Sequence, residues 1–88
     1  MDINIISAIE SELEYQNENL ASVGLTNKTH IHSAPEWLLI IELQVAKAKE
    51  KWYKGDHNAV SDQFRKIAAT SVVAMDQCGI TLRYNDIL

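Results

Sequence analysis

The 88 residues, 47% hydrophobic and 23% charged, have the composition of one ordinary globular domain, too small to pair a cofactor domain with a substrate domain. Disorder and disulfide-framed scaffolds fit poorly, because apolar content is ample and Cys78 has no second cysteine to join. A net charge of -4 argues against general nucleic-acid binding, so any anion must be met by a local group of cations.

In chain order, Ile6, Ile9, Leu13, Gln16 and Leu20 recur at helical spacing behind Asp2 as a candidate cap, which predicts a helix over roughly 3 to 22. Residues 23 to 34 gather turn formers and β-branched residues without a period and read as a loop. Ser33-Ala34-Pro35-Glu36 has the spacing of a capping box with proline in the first turn, so a second helix runs from about 35 to 53. Leu38, Ile41, Val45, Ala48 and Trp52 form its main apolar stripe, and Gly55 ends it. Asp56 is the candidate cap of a third helix, about 57 to 77, striped by Val60, Phe64, Ile67, Ser71, Val72 and Met75 and stopped by Gly79. Residues 80 to 88 alternate apolar and polar side chains and read as an extended tail.

The expected architecture is all-α: one domain over 1 to 88, a small three-helix bundle whose second and third helices form an antiparallel hairpin. Trp37, Leu39, Ile40 and Leu43 fall outside the main stripe of the second helix, and covering that flank calls for a homo-oligomer. No apolar run approaches the roughly 20 residues of a membrane span. A lone cysteine and the lack of a basic leader with an apolar core predict a cytoplasmic protein.

The segments Glu12-Leu-Glu-Tyr-Gln16, His32-Ser-Ala-Pro-Glu-Trp-Leu-Leu-Ile-Ile41, Val45 with the alanine-rich run to Gly55-Asp56, and Ile67-Ala-Ala69 with Met75 carry a resemblance to a known family. Over about residues 6 to 79 the chain resembles the phage and bacterial MazG-like nucleotide pyrophosphohydrolases. That all-α family carries a His-Ser-Pro-Glu-Glu-Trp-Leu stretch before its core helices. Acid pairs on those helices bind magnesium, which holds a triphosphate while water attacks. The resemblance puts Gln44 and Lys47 at the first acid pair, with Leu43 replacing the acid before it, and Gln63 and Lys66 at the second. It therefore implies a fold without its catalytic acids: no catalytic residue, no metal ligands, no cofactor, and no hydrolysis. The family's Lys-Trp-Gly after the first helix is here Asn19-Leu20-Ala21, so base specificity does not carry over.

The replacements have a chemistry of their own. Positions 44 and 47, like 63 and 66, lie about one turn apart on one helix face. With family-like packing the four side chains converge, and two ammonium groups at Lys47 and Lys66 meet phosphate directly in place of a metal. Gln44 and Gln63 then donate to phosphate or read a base edge. On an exposed helix face the same residues mean only solvent. His32, as the residue before the helix cap, is an anion donor or a loop fixture; Trp37 and Tyr15 are stacking candidates or packing anchors. His30 and His32 have no third ligand at metal spacing.

Two functions follow as expectations. One is a non-catalytic protein that sequesters a nucleotide or nucleotide-derived second messenger, which in a phage setting places it in the host cytoplasm as a counter-defence sponge. The other is an oligomeric interaction protein that grips and inhibits a host protein.

Overall fold

The structure, a computed structural model, describes residues 1–22 and 31–82; residues 23 to 30 of the loop expected over 23 to 34, and the expected tail beyond residue 82, lie outside the described residues. The chain forms three helices: α1 (Ile3–Ser22), α2 (Ala34–Tyr53) and α3 (His57–Cys78). The domain is a small all-helical bundle with no strand among the described residues.

Each helix starts and stops for a local reason. At α1 the Asp2 carboxylate accepts the Asn4 amide at 2.6 Å, and the Asp2 carbonyl takes the amides of Ile5 and Ile6. At α2 the expected capping box forms: the Ser33 hydroxyl accepts the Glu36 amide while the Glu36 carboxylate takes the Ser33 amide at 2.9 Å and hydroxyl at 2.8 Å. The turn from α2 to α3 is a Schellman closure, in which the Gly55 amide donates to Trp52 O and the Asp56 amide to Lys51 O, both at 3.0 Å. That closure needs a left-handed residue, and Gly55 supplies it with φ of 79°. Asp56 then serves the next helix, its carboxylate accepting the Ala59 amide at 3.1 Å. Trp52 stacks on His57 across the turn, ring centroids 4.6 Å apart.

The Ser33 amide and hydroxyl, with His32 adding a smaller effect, hold the Glu36 carboxyl below the ordinary value of 4.5. A depressed carboxyl contributes stability above its unfolded value and loses it as pH falls through its folded one. Ser33→Ala should lower the melting temperature by about 5 °C at neutral pH, the cost of a lost cap in a domain of this size. The gap between Ser33→Ala and the native chain should shrink below pH 4.5, read by circular dichroism at fixed protein concentration. A gap constant down to pH 3 would exclude the box as its source.

Helix α3 packs against both α2 and α1. Its contact face is small and partly polar: Ala69 is fully buried, Gln63 and Thr70 nearly so, and α2 answers with Ala48 and Trp37. No large side chain is fully buried among the described residues. Here the structure departs from the stripes read in the sequence. Of the α2 stripe Ala48 is buried and Ile41 half-buried, whereas Leu38 is 64% exposed, Trp52 58%, and Val45 is exposed as well. On α3, Phe64 is 63% exposed, and Val72 and Met75 also face out. The reason is steric: alanines let α2 and α3 approach closely, and close approach excludes the bulky residues beside them. Trp37, read outside the stripe, is buried, and its indole N–H donates to Gln77 Oε1 at 2.9 Å.

Candidate functional site

The four residues singled out at the missing acid positions lie on the expected helices but in different surroundings. Gln44 points into the α2–α3 contact, where its Nε2 donates to Thr70 Oγ1 at 2.8 Å and its Oε1 is sealed from solvent without a partner among the described residues. An amide held this way orders the helix interface, and its orphaned oxygen costs stability rather than reaching a ligand. Gln63 is buried on α3. Lys47 is exposed on α2 and makes no hydrogen bond or ion pair with the described residues.

Lys66 has a different setting. It is half-buried on α3 and lines, with Ser11, Glu12, Tyr15 and Arg65, a groove of about 360 Å³ between α1 and α3. Two of the sequence-read residues, Lys66 and Tyr15, therefore share one groove. Tyr15 presents an exposed ring.

The floor of this groove is a charge pair that sequence reading did not assign. Glu12 is 4% exposed; its Oε1 accepts Arg65 Nε at 2.8 Å and its Oε2 accepts Gln16 Nε2 at 3.1 Å. Arg65 also donates from Nη1 to Asp62 Oδ1 at 2.9 Å. The bond to Glu12, then that to Asp62, raises the guanidinium above its ordinary value, so it stays charged. The signal was present in part: Glu12 and Gln16 are four apart, Asp62 and Arg65 three apart, and both pairs sit on helix faces. What the sequence does not say is that the two faces meet.

Both oxygens of Glu12 are occupied, so its charge is spent within the floor. Lys66 has no hydrogen bond or ion pair among the described residues. Arg65 is shared between Glu12 and Asp62, so this cluster of two acids and one base is close to neutral once Lys66 is added, and Lys66 shares the groove lining with the Tyr15 ring. Such a pairing suits a ligand with an anionic end and a flat apolar end.

His32 sits at the opposite end of the hairpin. Its amide donates to Gln77 Oε1 at 3.0 Å, its ring meets Trp37 edge to face at 4.9 Å, and Nδ1 lies 3.5 Å from Glu36 Oε2. These contacts make His32 and Trp37 part of the junction between the α2 cap and the end of α3, away from the Lys66 groove. No group of three or more His, Cys, Asp or Glu residues is placed to hold a metal ion among the described residues. None of the described helices is long and apolar enough to cross a membrane.

Fold and groove together define a small all-helical domain with a mixed-charge cleft. Searches among protein-family models, curated proteins and solved structures found no match to this chain.

Proposed function

We propose that this domain binds a nucleotide or nucleotide-derived signal without turning it over, with Lys66 meeting phosphate and Tyr15 stacking on the base. The observation that carries the reading is a Lys66 side chain with no hydrogen bond or ion pair among the described residues, in a groove where Glu12, the acid among the described lining residues, is bonded to Arg65 and Gln16. The likeness of residues 6 to 79 to MazG-like nucleotide pyrophosphohydrolases supports the ligand class. Gln44, Lys47, Gln63 and Lys66 at the acid positions support binding without metal-assisted hydrolysis, since an ammonium neither holds a cation nor accepts a proton from water at neutral pH. In a phage setting this is the chemistry of a counter-defence sponge. Lys47, exposed on α2, is left outside the site in this version, and Gln44 and Gln63 serve the interface.

Calorimetry with a panel of linear and cyclic nucleotides tests the reading. Lys66→Ala should weaken binding by about ten- to a hundredfold, the worth of one charge-assisted contact, and Lys66→Glu should abolish it by adding a like charge. Lys47→Ala should leave affinity unchanged. A silent panel, or equal losses at Lys47 and Lys66, would overturn it.

The exposed apolar surface of α2 favours a second reading, an oligomeric interaction protein that inhibits a host protein. It predicts no nucleotide affinity and capture of a partner that Leu39→Glu or Leu43→Glu would abolish.

A further inference from the structure

Leu38, Val45 and Trp52 are spaced seven residues apart on α2, and all three are exposed. At 100° per residue they fall on one line along the helix, the repeat that drives helices to pair. α3 packs on the neighbouring side of α2 through Ala48 and borders this face where Trp52 stacks on His57, and α1 packs on α3, which leaves Leu38 and Val45 exposed. Val45, with Lys49, is common to two adjacent grooves, one running to Leu38 and Glu42 and the other to Trp52 and Phe64, so the apolar strip is continuous along the helix.

Two charges flank the strip, Glu42 and Lys49, themselves seven apart and therefore on the same edge of it. Neither has a hydrogen bond or ion pair with any described residue. Their midpoint falls between Val45 and Ala46, next to the Leu38–Trp52 midpoint at Val45. We infer that two copies of this chain pair through α2, antiparallel about a two-fold axis near Val45, with Glu42 of each copy beside Lys49 of its partner and Leu38 of each copy against Trp52 of its partner.

Charge complementarity selects the occupant. A two-fold operation about the middle of an antiparallel pair carries one end of an edge onto the other end of the same edge, so an acid and a base placed equally far from the axis satisfy each other twice. Parallel pairing, with the two-fold axis along the helices, carries this edge to the other side of the seam, so neither Glu42 nor Lys49 meets its counterpart's charge. This inference does not depend on the Lys66 groove, which lies between α1 and α3.

The test is sedimentation equilibrium of the full chain and three variants, with circular dichroism to verify helix content. Neither exposed position has an ionic partner on its own helix, so exchanging its charge leaves α2 intact. Glu42→Lys and Lys49→Glu should each raise the dimer dissociation constant by about tenfold or more, because two attractive pairs become repulsive. The double variant Glu42→Lys/Lys49→Glu should return to within about threefold of the native value, since it restores both pairs with their signs reversed. An equimolar mixture of the two single variants should form a heterodimer tighter than either alone. A native chain that is monomeric at 100 µM, single variants that dimerise as the native chain does, or a double variant without recovery would each overturn the arrangement.

Discussion

Arg65→Met should lower the stability of the domain by about 2 kcal/mol, a fall of roughly 10 °C in melting temperature for a chain of this size. Arg65 donates to a Glu12 carboxylate that is 4% exposed, and without it that carboxylate keeps one neutral donor, Gln16. Removing one partner of a fully buried pair costs about 3–5 kcal/mol. The Arg65 side chain is 35% exposed and shares its charge with Asp62, so screening reduces the effect here. The reverse deletion, Glu12→Met, should cost less, because it leaves Arg65 at the surface with Asp62 still bound. Glu12→Met/Arg65→Met should recover most of the loss, since an apolar pair of similar volume leaves no charge stranded. Thermal melts of the four chains at one protein concentration give the coupling directly. If the double variant is as unstable as the sum of the singles, Glu12 and Arg65 act independently, and the pair is not what fastens α1 to α3. The result also bears on the groove, because Arg65 neutralises the floor from which Lys66 projects.

Helix boundaries were legible in the sequence because their causes are local. Ser33 and Glu36 lie three apart, Gly55 stands where a left-handed turn is required, and Asp56 sits next to it; each acts within one turn of backbone. The orientation of α2 was not legible, for a reason that apolar periodicity cannot overcome. Two faces of α2 are apolar, one with Leu38, Val45 and Trp52 and one with Trp37 and Ala48, and bulk alone favours the first. The structure buries the second because Ala48 and Ala69 allow a close helix crossing and because Trp37 and Gln44 find polar partners in Gln77 and Thr70. The stripe of larger residues is thereby displaced to the outside, where its seven-residue repeat suits another helix. The candidate site was legible only as separate residues. Lys66 and Tyr15 could be named as candidates from their chemistry, but their sharing of one groove depends on how α1 is set against α3, which Glu12 and Arg65 fix through a contact 53 residues apart in sequence.

Ala69→Leu should be the most damaging single apolar change. Ala69 is the only fully buried hydrophobic residue among those described, on the helix that packs against both others. A leucine there adds three carbons where none has room, and the neighbouring helices must either separate or take strained rotamers. Overpacking of this kind costs about 1–3 kcal/mol in well-packed cores. The upper end applies here, because the domain buries little else: apart from Trp37 the large apolar residues described are half-buried or exposed, so a spread helix pair has no second core to hold it. Ala8→Leu, at an exposed position on α1, adds the same carbons and should stay within about 0.5 kcal/mol of the native chain. Chemical denaturation of the two variants separates packing from helix propensity, since alanine and leucine are both strong helix formers. Equal stability for Ala69→Leu and Ala8→Leu would show that α3 has slack around residue 69, and that alanine contacts do not decide which face of α2 turns inward. A large loss confined to Ala69→Leu would show the converse: close approach at the alanines holds the bundle together and leaves Leu38, Val45 and Trp52 for a second helix.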